Sequence, residues 1–463
     1  MVSRRNFFGS AFAAGIVGLP DAGCASTNCA TGGKIVEPAR ELNVAGEADV
    51  IVAGGGPAGI SAAIGAARQG AKVILIESKG TVGGIWTNGL LGCLIGFNYS
   101  PFDHEILARL DKYRARRTRR PENDFHCFIY EPEYMKVVCE EMLQEAGVRI
   151  RLGTSVVAAV KDASGRNLRA VITESKAGRE AWAAKRFVDC TGDGDLAALA
   201  GCGFDVGGAD RDPSEQPASL IGMFMLPDDT GIRKFIGNEH TNYDSLGERV
   251  FDAKVEFRKE LERLGIHPSY GNPTIFRVNR GLFIIMANHE YDVRVDDADA
   301  IGEATMRARR EVVDMTEALV KESQMHPGKE SPWRGLRLVA TADQIYHRRA
   351  RRIHGRYTMK VDDCFDGAKF DDTIATCSFG IDVHAVSKKM NKVLPAGSPF
   401  DRRSQPYQIP FRACQAADLD NLYMAGRCIS GDFFTQASYR ITGTAVALGY
   451  GVGERIGREI VRC

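Results

Sequence analysis

The feature of this sequence that most restricts its fold is a glycine-rich turn between an apolar strand and a small-residue helix. The run Asp49–Ala53 (DVIVA) is short and β-branched, which is typical of a buried strand. The turn Gly54–Gly59 (GGGPAG) follows, and Ile60–Gln69 is Ala-rich and compatible with a helix. A second apolar run, Val73–Ile76, ends at the acidic Glu77. This order predicts a βαβ unit with a nucleotide bound at its first turn.

Several residues of the unit have a physical role in binding a pyrophosphate. Gly54 allows the tight turn, Gly56 lets the backbone approach the phosphates, and Gly59 lets the helix pack closely on the strand. The N-terminus of the helix presents N–H groups and the positive end of its dipole to the anion. Glu77 is placed to accept hydrogen bonds from ribose hydroxyls. The predicted cofactor-binding residues here are Gly54, Gly56, Pro57, Ala58, Gly59 and Glu77.

Four later segments resemble the segments that surround FAD in flavoproteins of the glutathione-reductase type. Lys79–Gly89 contains a glycine pair, and Arg186–Asp195 ends an apolar strand in a Thr-Gly-Asp turn. Asn421–Arg427 is a strand that leads into a glycine turn, and Ile441–Gly457 is a small-residue helix whose N-terminus is expected to face the flavin. The resemblance implies further cofactor-binding residues at Gly83, Gly84, Gly192, Asp193, Gly426, Arg427, Arg440, Gly443 and Thr444.

The chain also resembles the FAD-dependent oxidoreductases related to the flavoproteins of succinate dehydrogenase and fumarate reductase. The segments that carry this resemblance are Arg348–Gly355, Phe370–Ala375, Ile381–His384, Ile409–Arg412, Ala425–Ser430 and Tyr439–Arg440. The resemblance covers roughly residues 48–455 and is weakest in about 205–335. Ala350 replaces the usual Ser, and Gly449–Gly453 replaces a commoner Gly-x-Ala-Ala-Gly. No segment matches the histidine-containing segment used for covalent flavin attachment, so noncovalent FAD is expected.

The resemblance implies an α/β fold: a discontinuous, Rossmann-like FAD-binding domain with an inserted α+β substrate or cap domain. The glycines Gly451, Gly453 and Gly457 follow no apolar strand, so we interpret them as sites of close helix packing rather than as a second phosphate loop. The predicted divisions are a signal peptide over 1–30, a linker over 31–46, FAD-binding segments over 47–205 and 335–463, and a cap over 206–334.

The N-terminus predicts export. Ser3–Phe8 (SRRNFF) resembles the twin-arginine motif, and the apolar run Phe7–Leu19 that follows is too short to span a bilayer. A periplasmic or otherwise exported protein is therefore expected. Cys24 follows Ala-Gly as at a lipoprotein processing site, but Asp21 occupies a position where an aliphatic residue is preferred. Membrane attachment through Cys24 is the weaker alternative.

Composition excludes several classes of protein. Sixty Lys and Arg balance 59 Asp and Glu, so the net charge of +1 does not indicate a nucleic-acid partner. The twelve cysteines form no CxxC pair and no cluster with metal-ligand spacing, so neither a metal site nor a local dithiol is predicted. The sequence contains no second strand–GxGxxG–helix unit for a nicotinamide nucleotide.

The catalytic candidates lie in the C-terminal part of the chain. His384 with Asp382 is the first choice for proton transfer, because alternation along a strand places both side chains on one face and a carboxylate can set the histidine tautomer. Two roles remain open for the neighbouring arginines: binding an anionic substrate or reduced flavin, or forming structural ion pairs with Asp362, Asp363 and Asp366. These arginines are Arg348, Arg351 and Arg352.

The sequence thus predicts an exported FAD-dependent dehydrogenase or reductase that transfers a hydride between a small polar substrate and noncovalent FAD, with an unidentified electron acceptor or donor. A flavoprotein oxidase that uses oxygen is one alternative. A flavoprotein subunit of a membrane-attached electron-transfer complex and a non-catalytic protein that binds FAD for stability are the others.

Overall fold

A computed structural model describes residues 35, 37–97, 101–118, 127–208, 215–237, 246–325, 331–349, 351–393 and 396–462. The predicted twin-arginine motif, its apolar run and Cys24 lie outside these residues. The chain divides into two compact units, Met1–Glu41 and Leu42–Cys463, and the second contains all the elements below.

The described residues form helices that are separated in most cases by one to four strands. In chain order the helices are α1 (Pro57–Ala67), α2 (Pro101–Lys112), α3 (Pro132–Glu145), α4 (Asp195–Leu199), α5 (Leu246–Arg263), α6 (Ala298–Met325), α7 (Val361–Asp366), α8 (Lys388–Asn391), α9 (Phe433–Tyr439) and α10 (Thr442–Arg462). The first ten strands are β1 (Val44–Ala53), β2 (Val73–Ile76), β3 (Cys93–Ile95), β4 (Arg116–Thr118), β5 (Cys127–Tyr130), β6 (Arg149–Arg151), β7 (Ser155–Lys161), β8 (Leu168–Ser175), β9 (Gly178–Asp189) and β10 (Phe204–Asp205). The others are β11 (Gly222–Met225), β12 (Thr274–Asn279), β13 (Leu282–Met286), β14 (Arg337–Thr341), β15 (Arg352–Ile353), β16 (Thr373–Cys377), β17 (Val383–His384), β18 (Ala396–Gly397), β19 (Tyr407–Pro410) and β20 (Leu422–Met424).

A seven-stranded sheet is the largest sheet of the second unit. Its order is β6-β2-β1-β9-β8-β7, with β20 also paired to β9. Strands β6, β2, β1, β9 and β20 are parallel, whereas β7, β8 and β9 form an antiparallel meander. The parallel strands end at one edge of the sheet, where Ala53 pairs with both Ile76 and Asp189. The turns that follow these strands therefore meet there, which is where ligands bind in such sheets. The α/β fold with the predicted βαβ unit is confirmed.

Helices α1 and α10 pack closely against each other through small residues. A Cβ atom added to Gly449 or Gly453 would lie 2.1 Å from the carbonyl oxygen of Ala58 or Ala62, respectively. On Gly451 and Gly457 it would lie 2.5 and 2.9 Å from the nearest carbonyl oxygens, those of Ile374 and Ala66. The interpretation as sites of close helix packing is confirmed for Gly453 and Gly457, which pack on α1, whereas Gly451 packs on strand β16.

This contact leads to a first prediction. Gly453→Ala is expected to destabilise the protein by about 1–3 kcal/mol, because the added methyl group forces the two helices apart. Gly302 is a matched control, since it lies exposed in helix α6 and an added Cβ meets no atom within 4 Å. Gly302→Ala should leave the melting temperature unchanged or raise it slightly. Equal melting temperatures for the two variants would contradict the packing argument.

A second, antiparallel sheet lies in the middle of the chain. Its order is β12-β13-β11-β14, and its own apolar core includes Phe235, Phe257 and Trp333, whose rings pack together. The predicted cap segment ends at residue 334. Strand β14 follows this position and still belongs to the sheet, so the chain leaves the sheet only after Thr341. Both sheets belong to one compact unit, and its division into FAD-binding and cap domains stays a prediction. Among the described helices, none combines the length and apolarity needed to cross a bilayer.

Candidate cofactor and substrate site

The glycine turn after β1 leaves open space at only one of its three predicted glycines. Gly54 has φ 95°, and a Cβ atom there would lie 2.5 Å from the carbonyl oxygen of Cys190. A Cβ atom on Gly59 would lie 1.8 Å from the carbonyl oxygen of Gly54. An added Cβ on Gly56, the N-cap of helix α1, meets no atom within 4 Å. Gly54 and Gly59 are thus required for packing, whereas Gly56 keeps a surface of the backbone accessible.

Glu77 at the end of β2 is held by backbone donors. Its Oε2 accepts a hydrogen bond of 2.6 Å from the N–H of Gly55, and its Oε1 accepts one of 2.7 Å from the N–H of Lys79. The second glycine turn contacts the first, since the N–H of Gly83 donates to the carbonyl of Gly55 at 2.8 Å. These contacts place an acidic side chain and two glycine turns at one end of the sheet.

The turns after β9 and β20 complete the same edge. Asp193 accepts a hydrogen bond of 2.7 Å from Nη2 of Arg427, which joins the two turns. The buried carboxylate of Asp189 accepts bonds from the N–H groups of Thr191 and Ala197 and so fixes the turn between them. Burial raises the pKa of Asp189. Asp189 is a supporting residue that the sequence analysis did not single out.

These turns surround a cleft with a volume of about 400 Å³. The predicted cofactor-binding residues that line it are Gly54, Gly56, Pro57, Ala58, Glu77, Gly84, Gly192, Asp193, Gly426, Arg427 and Arg440. Gly59 and Gly83 do not line the cleft but support its glycine turns.

Gly443 and Thr444 also lie behind the wall of the cleft. A Cβ atom on Gly443 would lie 1.9 Å from the carbonyl oxygen of Gly96, and Oγ1 of Thr444 donates to Sγ of Cys377 at 3.4 Å. Their neighbours Thr442 and Ala445 line the cleft instead. The N-terminus of α10 therefore reaches the cleft, but through other residues than those predicted.

A second cavity, with a volume of about 200 Å³, adjoins the cleft. Most of its wall is apolar, with contributions from Ile221, Phe276 and Met286. The two cavities share the wall residues Ile85, Tyr346, His347, Arg427, Arg440 and Thr442. The polar or charged residues that line the second cavity are Ser219, Tyr346, His347, Arg348, Asp382, His384, Arg427, Arg440 and Thr442. A ligand in this cavity would therefore lie beside a ligand in the cleft.

Four of these groups form a charged cluster. Nη2 of Arg440 donates to the backbone carbonyl of Asp382 at 2.8 Å and to its Oδ2 at 3.0 Å. Nε2 of His384 lies 3.3 Å from the same Oδ2. Nη1 of Arg348 donates to the carbonyl of Pro217 at 2.7 Å. The structure thus brings the predicted pair His384 and Asp382 together with two arginines at one cavity.

Arg351 and Arg352 lie outside both cavities. Nη1 of Arg351 donates to Oδ1 of Asp195 and to the carbonyl of Asp193, both at 2.8 Å. Nη1 of Arg352 donates to the carbonyl of Gly207 at 3.1 Å. Of the three arginines considered from the sequence, only Arg348 lines a cavity, and the acidic partner of Arg351 is Asp195.

His289 was missed by the sequence analysis. Its Nε2 lies 3.2 Å from Nδ1 of His384, and its Nδ1 lies 3.3 Å from the hydroxyl of Tyr291. His289 and Tyr291 come from the middle of the chain, where the resemblance to the flavoproteins is weakest. The only signal in the sequence was a histidine two positions before a tyrosine, shortly after an apolar strand.

Burial controls protonation in this cluster. Burial, assisted by the charge of Arg348, lowers the pKa of His384 to about 3 and that of His289 well below its usual value. Burial also lowers the pKa of Arg348, to about 10, so this side chain remains a cation at neutral pH. Burial alone would raise the pKa of Asp382, but a hydrogen bond from His384 and the positive charges of Arg440 and Arg348 lower it overall. At pH 7 the cluster therefore contains an ionised Asp382, the neutral imidazole of His384 and two cationic arginines, and the adjoining imidazole of His289 is neutral as well.

These directions predict a pH dependence of stability. The pKa values of the buried rings of His289, His347 and His384 are all lowered, so between about pH 6.5 and the folded-state pKa the unfolded chain binds more protons than the folded one. The free energy of unfolding should then fall as the pH falls, by up to about 1.4 kcal/mol per pH unit for each ring. Urea unfolding at pH 6.5 and pH 5 measures the slope. His289→Gln should reduce it by one ring's share, and an unchanged slope would contradict the prediction.

Three buried side-chain nitrogens at the boundary between the cavities have no hydrogen-bond partner among the described residues. They are Nε of Arg427, Nε of Arg440 and Nε2 of His347. Buried polar atoms normally have partners, so these atoms indicate a polar ligand. Together with the open backbone at Gly56 and the acidic Glu77, they fit a dinucleotide, which α1 would hold at its phosphates and the shared wall would hold at its ring system.

The comparison with protein families agrees with this geometry. Residues 49–457 match the family described as FAD dependent oxidoreductase. The chain belongs to this family. This FAD-dependent oxidoreductase therefore uses FAD, and the cleft is the candidate site for that cofactor. The sequence matches no curated protein.

Similar solved structures include proteins with different reactions. A geranylgeranyl bacteriochlorophyll reductase-like protein from Thermoplasma acidophilum is 12% identical, with 90% of this chain and 79% of that chain covered and a TM-score of 0.45. The p-nitrophenol 4-monooxygenase of Pseudomonas putida is 15% identical over 67% and 70% of the two chains, with a TM-score of 0.38. The anhydrotetracycline hydroxylase of Streptomyces rimosus is 12% identical over 90% and 63%, with a TM-score of 0.42.

Proposed function

We propose that this oxidoreductase is an exported dehydrogenase or reductase that transfers a hydride between a small anionic substrate and noncovalently bound FAD. The observation that carries the proposal is the second cavity, which shares six wall residues with the cleft and contains a charged cluster. A substrate in this cavity would lie against the ring system of the cofactor, as hydride transfer requires.

The cofactor would be held by groups already described. The N-terminus of α1 with Gly56 would hold the pyrophosphate, and Glu77 would accept hydrogen bonds from the ribose. Thr442 and Ala445 at the N-terminus of α10 would lie beside the flavin. When bound, FAD supplies a two-electron donor or acceptor at the wall between the cavities.

The charge of the second cavity supports an anionic substrate. Arg348 and Arg440 are cationic, whereas Asp382 is the anionic residue of its wall. Arg427, which also lines it, is paired with Asp193. The remaining positive charge favours a carboxylate, which a guanidinium can bind through two parallel hydrogen bonds. The apolar wall suits a short carbon chain, so we infer a small hydroxy acid or oxo acid as the substrate class.

His384 and Asp382 provide the proton transfer that accompanies the hydride. In the direction of oxidation the pair takes up the hydroxyl proton of the substrate, and in the direction of reduction it returns a proton to the oxygen. Asp382 remains ionised beside Arg440, and it orients the ring of His384 through Nε2. Arg348 holds the substrate in place and takes no part in proton transfer.

The proposal is tested with the purified protein and a panel of substrates. An absorbance spectrum before and after acid precipitation should show a flavin that remains in the supernatant. Anaerobic addition of glycolate, lactate, malate or tartrate, or of the matching oxo acids to the photoreduced protein, should bleach or restore the flavin colour. Colour in the pellet would contradict noncovalent binding. A flavin that no member of the panel changes would contradict the substrate class, and rapid reoxidation by oxygen would favour the oxidase alternative.

Arg348 allows a prediction on substrate binding. Arg348→Met is expected to raise KM for a reactive carboxylate about 10- to 100-fold, because a charge-assisted contact of about 1.5–3 kcal/mol is lost. The free enzyme should retain its FAD, since Arg348 does not line the cleft. Arg310→Met is the control, because the side chain of Arg310 is 75% exposed. An unchanged KM in Arg348→Met would contradict a role in substrate binding.

Export is proposed from the N-terminal sequence alone. The paired Arg4 and Arg5 directly precede an apolar run, as in twin-arginine signals. Replacing both with lysine should hold the protein in the cytoplasm of a bacterial host, whereas the unchanged chain should appear in the periplasmic fraction. Membrane retention that is lost in Cys24→Ala would instead favour lipid attachment.

A further inference from the structure

A line of polar groups connects the second cavity with the surface of the protein. Oδ2 of Asp382 lies 3.3 Å from Nε2 of His384, and Nδ1 of His384 lies 3.2 Å from Nε2 of His289. Nδ1 of His289 lies 3.3 Å from the hydroxyl of Tyr291. His289 and His384 are 2% and 7% exposed, whereas Tyr291 is only partly buried. The line thus begins at the cavity wall and ends where water can reach it.

The ionised Asp382 fixes the direction of the hydrogen bonds. A carboxylate can only accept, so Nε2 of His384 carries a proton and, in a neutral ring, Nδ1 does not. Nδ1 of His384 then accepts from Nε2–H of His289, which leaves Nδ1 of His289 to accept from the hydroxyl of Tyr291. Each group therefore donates to the next group toward the cavity. This is the arrangement needed to pass a proton inward in successive steps.

The outer end of the line is held in a polar environment. The hydroxyl of Tyr291 lies 3.3 Å from the carbonyl oxygen of Ser269, a second acceptor for the tyrosine proton. Oγ of Ser269 donates to Glu311 at 2.7 Å and accepts from the N–H of His289 at 2.8 Å. Ser269 thus fixes both outer members of the line relative to each other.

We propose that His289 and Tyr291 relay the proton of the flavin-dependent reaction between solvent and His384. For reduction of an oxo acid, the O–H bond of Tyr291 breaks as Nδ1–H of His289 forms, and Nε2–H of His289 breaks as Nδ1–H of His384 forms. Nε2–H of His384 breaks as the O–H bond of the product hydroxyl forms, and solvent returns a proton to Tyr291. The electron pair comes from reduced FAD, so the inference rests on the proposed function. These transfers leave both rings protonated on Nδ1, so each ring must turn back before a second proton can pass. Oxidation uses the same transfers in reverse and starts from the rings protonated on Nδ1.

The relay lies among charged and titratable groups from several elements. Those that affect its members are Asp382, Arg348, Arg440, Tyr270 and Glu311. The ring of Tyr270 lies over that of His289, with 4.1 Å between the ring centroids. The positive charges of Arg348 and Arg440 disfavour the cationic form of either imidazole. Each ring therefore releases one proton as it accepts another.

Nuclear magnetic resonance tests the arrangement without any substrate. The FAD-loaded protein, labelled with ¹⁵N-histidine, should show the rings of His289 and His384 neutral and protonated on Nε2 at pH 7. His289→Gln and His384→Gln assign the two signals. A proton on Nδ1 of either ring, or a cationic ring, would overturn the relay. This result does not depend on which substrate the protein uses.

Kinetics test the transfer itself, with the hydroxy or oxo acid that changes the flavin colour in the panel. His289→Gln keeps a hydrogen-bonding side chain that cannot pass a proton, and Tyr291→Phe removes the outer donor. Each should slow the colour change about tenfold or more and alter its solvent isotope effect, while KM and FAD content remain unchanged. Added imidazole should restore the rate of His289→Gly. Full rates in His289→Gln and Tyr291→Phe would overturn the relay, and the exposed His267→Gln is the control.

The NMR and kinetic experiments together distinguish failure of the proposed substrate class from failure of the relay. If no acid of the panel reacts and the two rings have the expected tautomers, the proposed substrate class fails and the relay stands. If an acid reacts at full rate in both relay variants, the proposed function stands and the relay fails.

Discussion

Gly56→Ala is expected to raise the dissociation constant of FAD about 100-fold while the apoprotein folds normally. The added methyl group meets no protein atom within 4 Å, and the φ of −75° suits alanine, so the fold has no reason to change. The methyl group does occupy the side of the turn at which a pyrophosphate must approach the N–H groups of α1. Loss of one or two charge-assisted hydrogen bonds, about 3 kcal/mol in total, corresponds to this change in affinity.

The measurement is a fluorescence titration of the apoprotein with FAD, accompanied by thermal unfolding of the apoprotein. Gly80→Ala is a matched control, because Gly80 also has open space around an added Cβ but does not line the cleft. Gly59→Ala should instead prevent folding, since its Cβ would lie 1.8 Å from a carbonyl oxygen. Normal FAD affinity in Gly56→Ala would contradict the assignment of the cleft as the FAD site.

His384→Gln is expected to lower the rate of flavin reduction by a reactive substrate about 10²- to 10⁴-fold, the usual contribution of a general acid–base group. Glutamine can replace the contact with Asp382 but cannot take up or release a proton at neutral pH. FAD content should remain unchanged, because His384 lines the second cavity and not the cleft. Anaerobic stopped-flow absorbance measures the rate.

The chain offers a matched control for this variant. His354 on the surface also lies 3.3 Å from an aspartate, Asp205, but its side chain is 50% exposed and lines neither cavity. His354→Gln should therefore retain the full rate. A loss in His384→Gln no larger than the loss in His354→Gln would remove His384 from the mechanism.

The cofactor cleft was largely predictable because its parts are local in sequence. A strand, a glycine turn and an acid within thirty residues define the βαβ unit, and the carboxyl ends of parallel strands must meet. The pair Asp382 and His384 was predictable for the same reason. His289 was not, because it lies 95 residues from His384 in the sequence and approaches it only in the folded chain.

Local sequence also could not distinguish among similar neighbours. Arg348, Arg351 and Arg352 have the same chemistry within five positions, and only the path of the backbone turns Arg348 toward a cavity. Gly443 and Thr444 were expected at the flavin, but the phase of α10 turns them toward Gly96 and Cys377. In both cases the direction of a side chain depends on contacts distant in sequence.

The shared wall between the two cavities has a thermodynamic consequence. Six residues contact both spaces, so a ligand on one side limits the freedom of groups that the other ligand needs. Such linkage is reciprocal: whatever factor FAD adds to the affinity for substrate, substrate adds to the affinity for FAD. A noncovalent flavin would then dissociate most readily from the substrate-free protein, and abundant substrate would act as a retention factor for the cofactor.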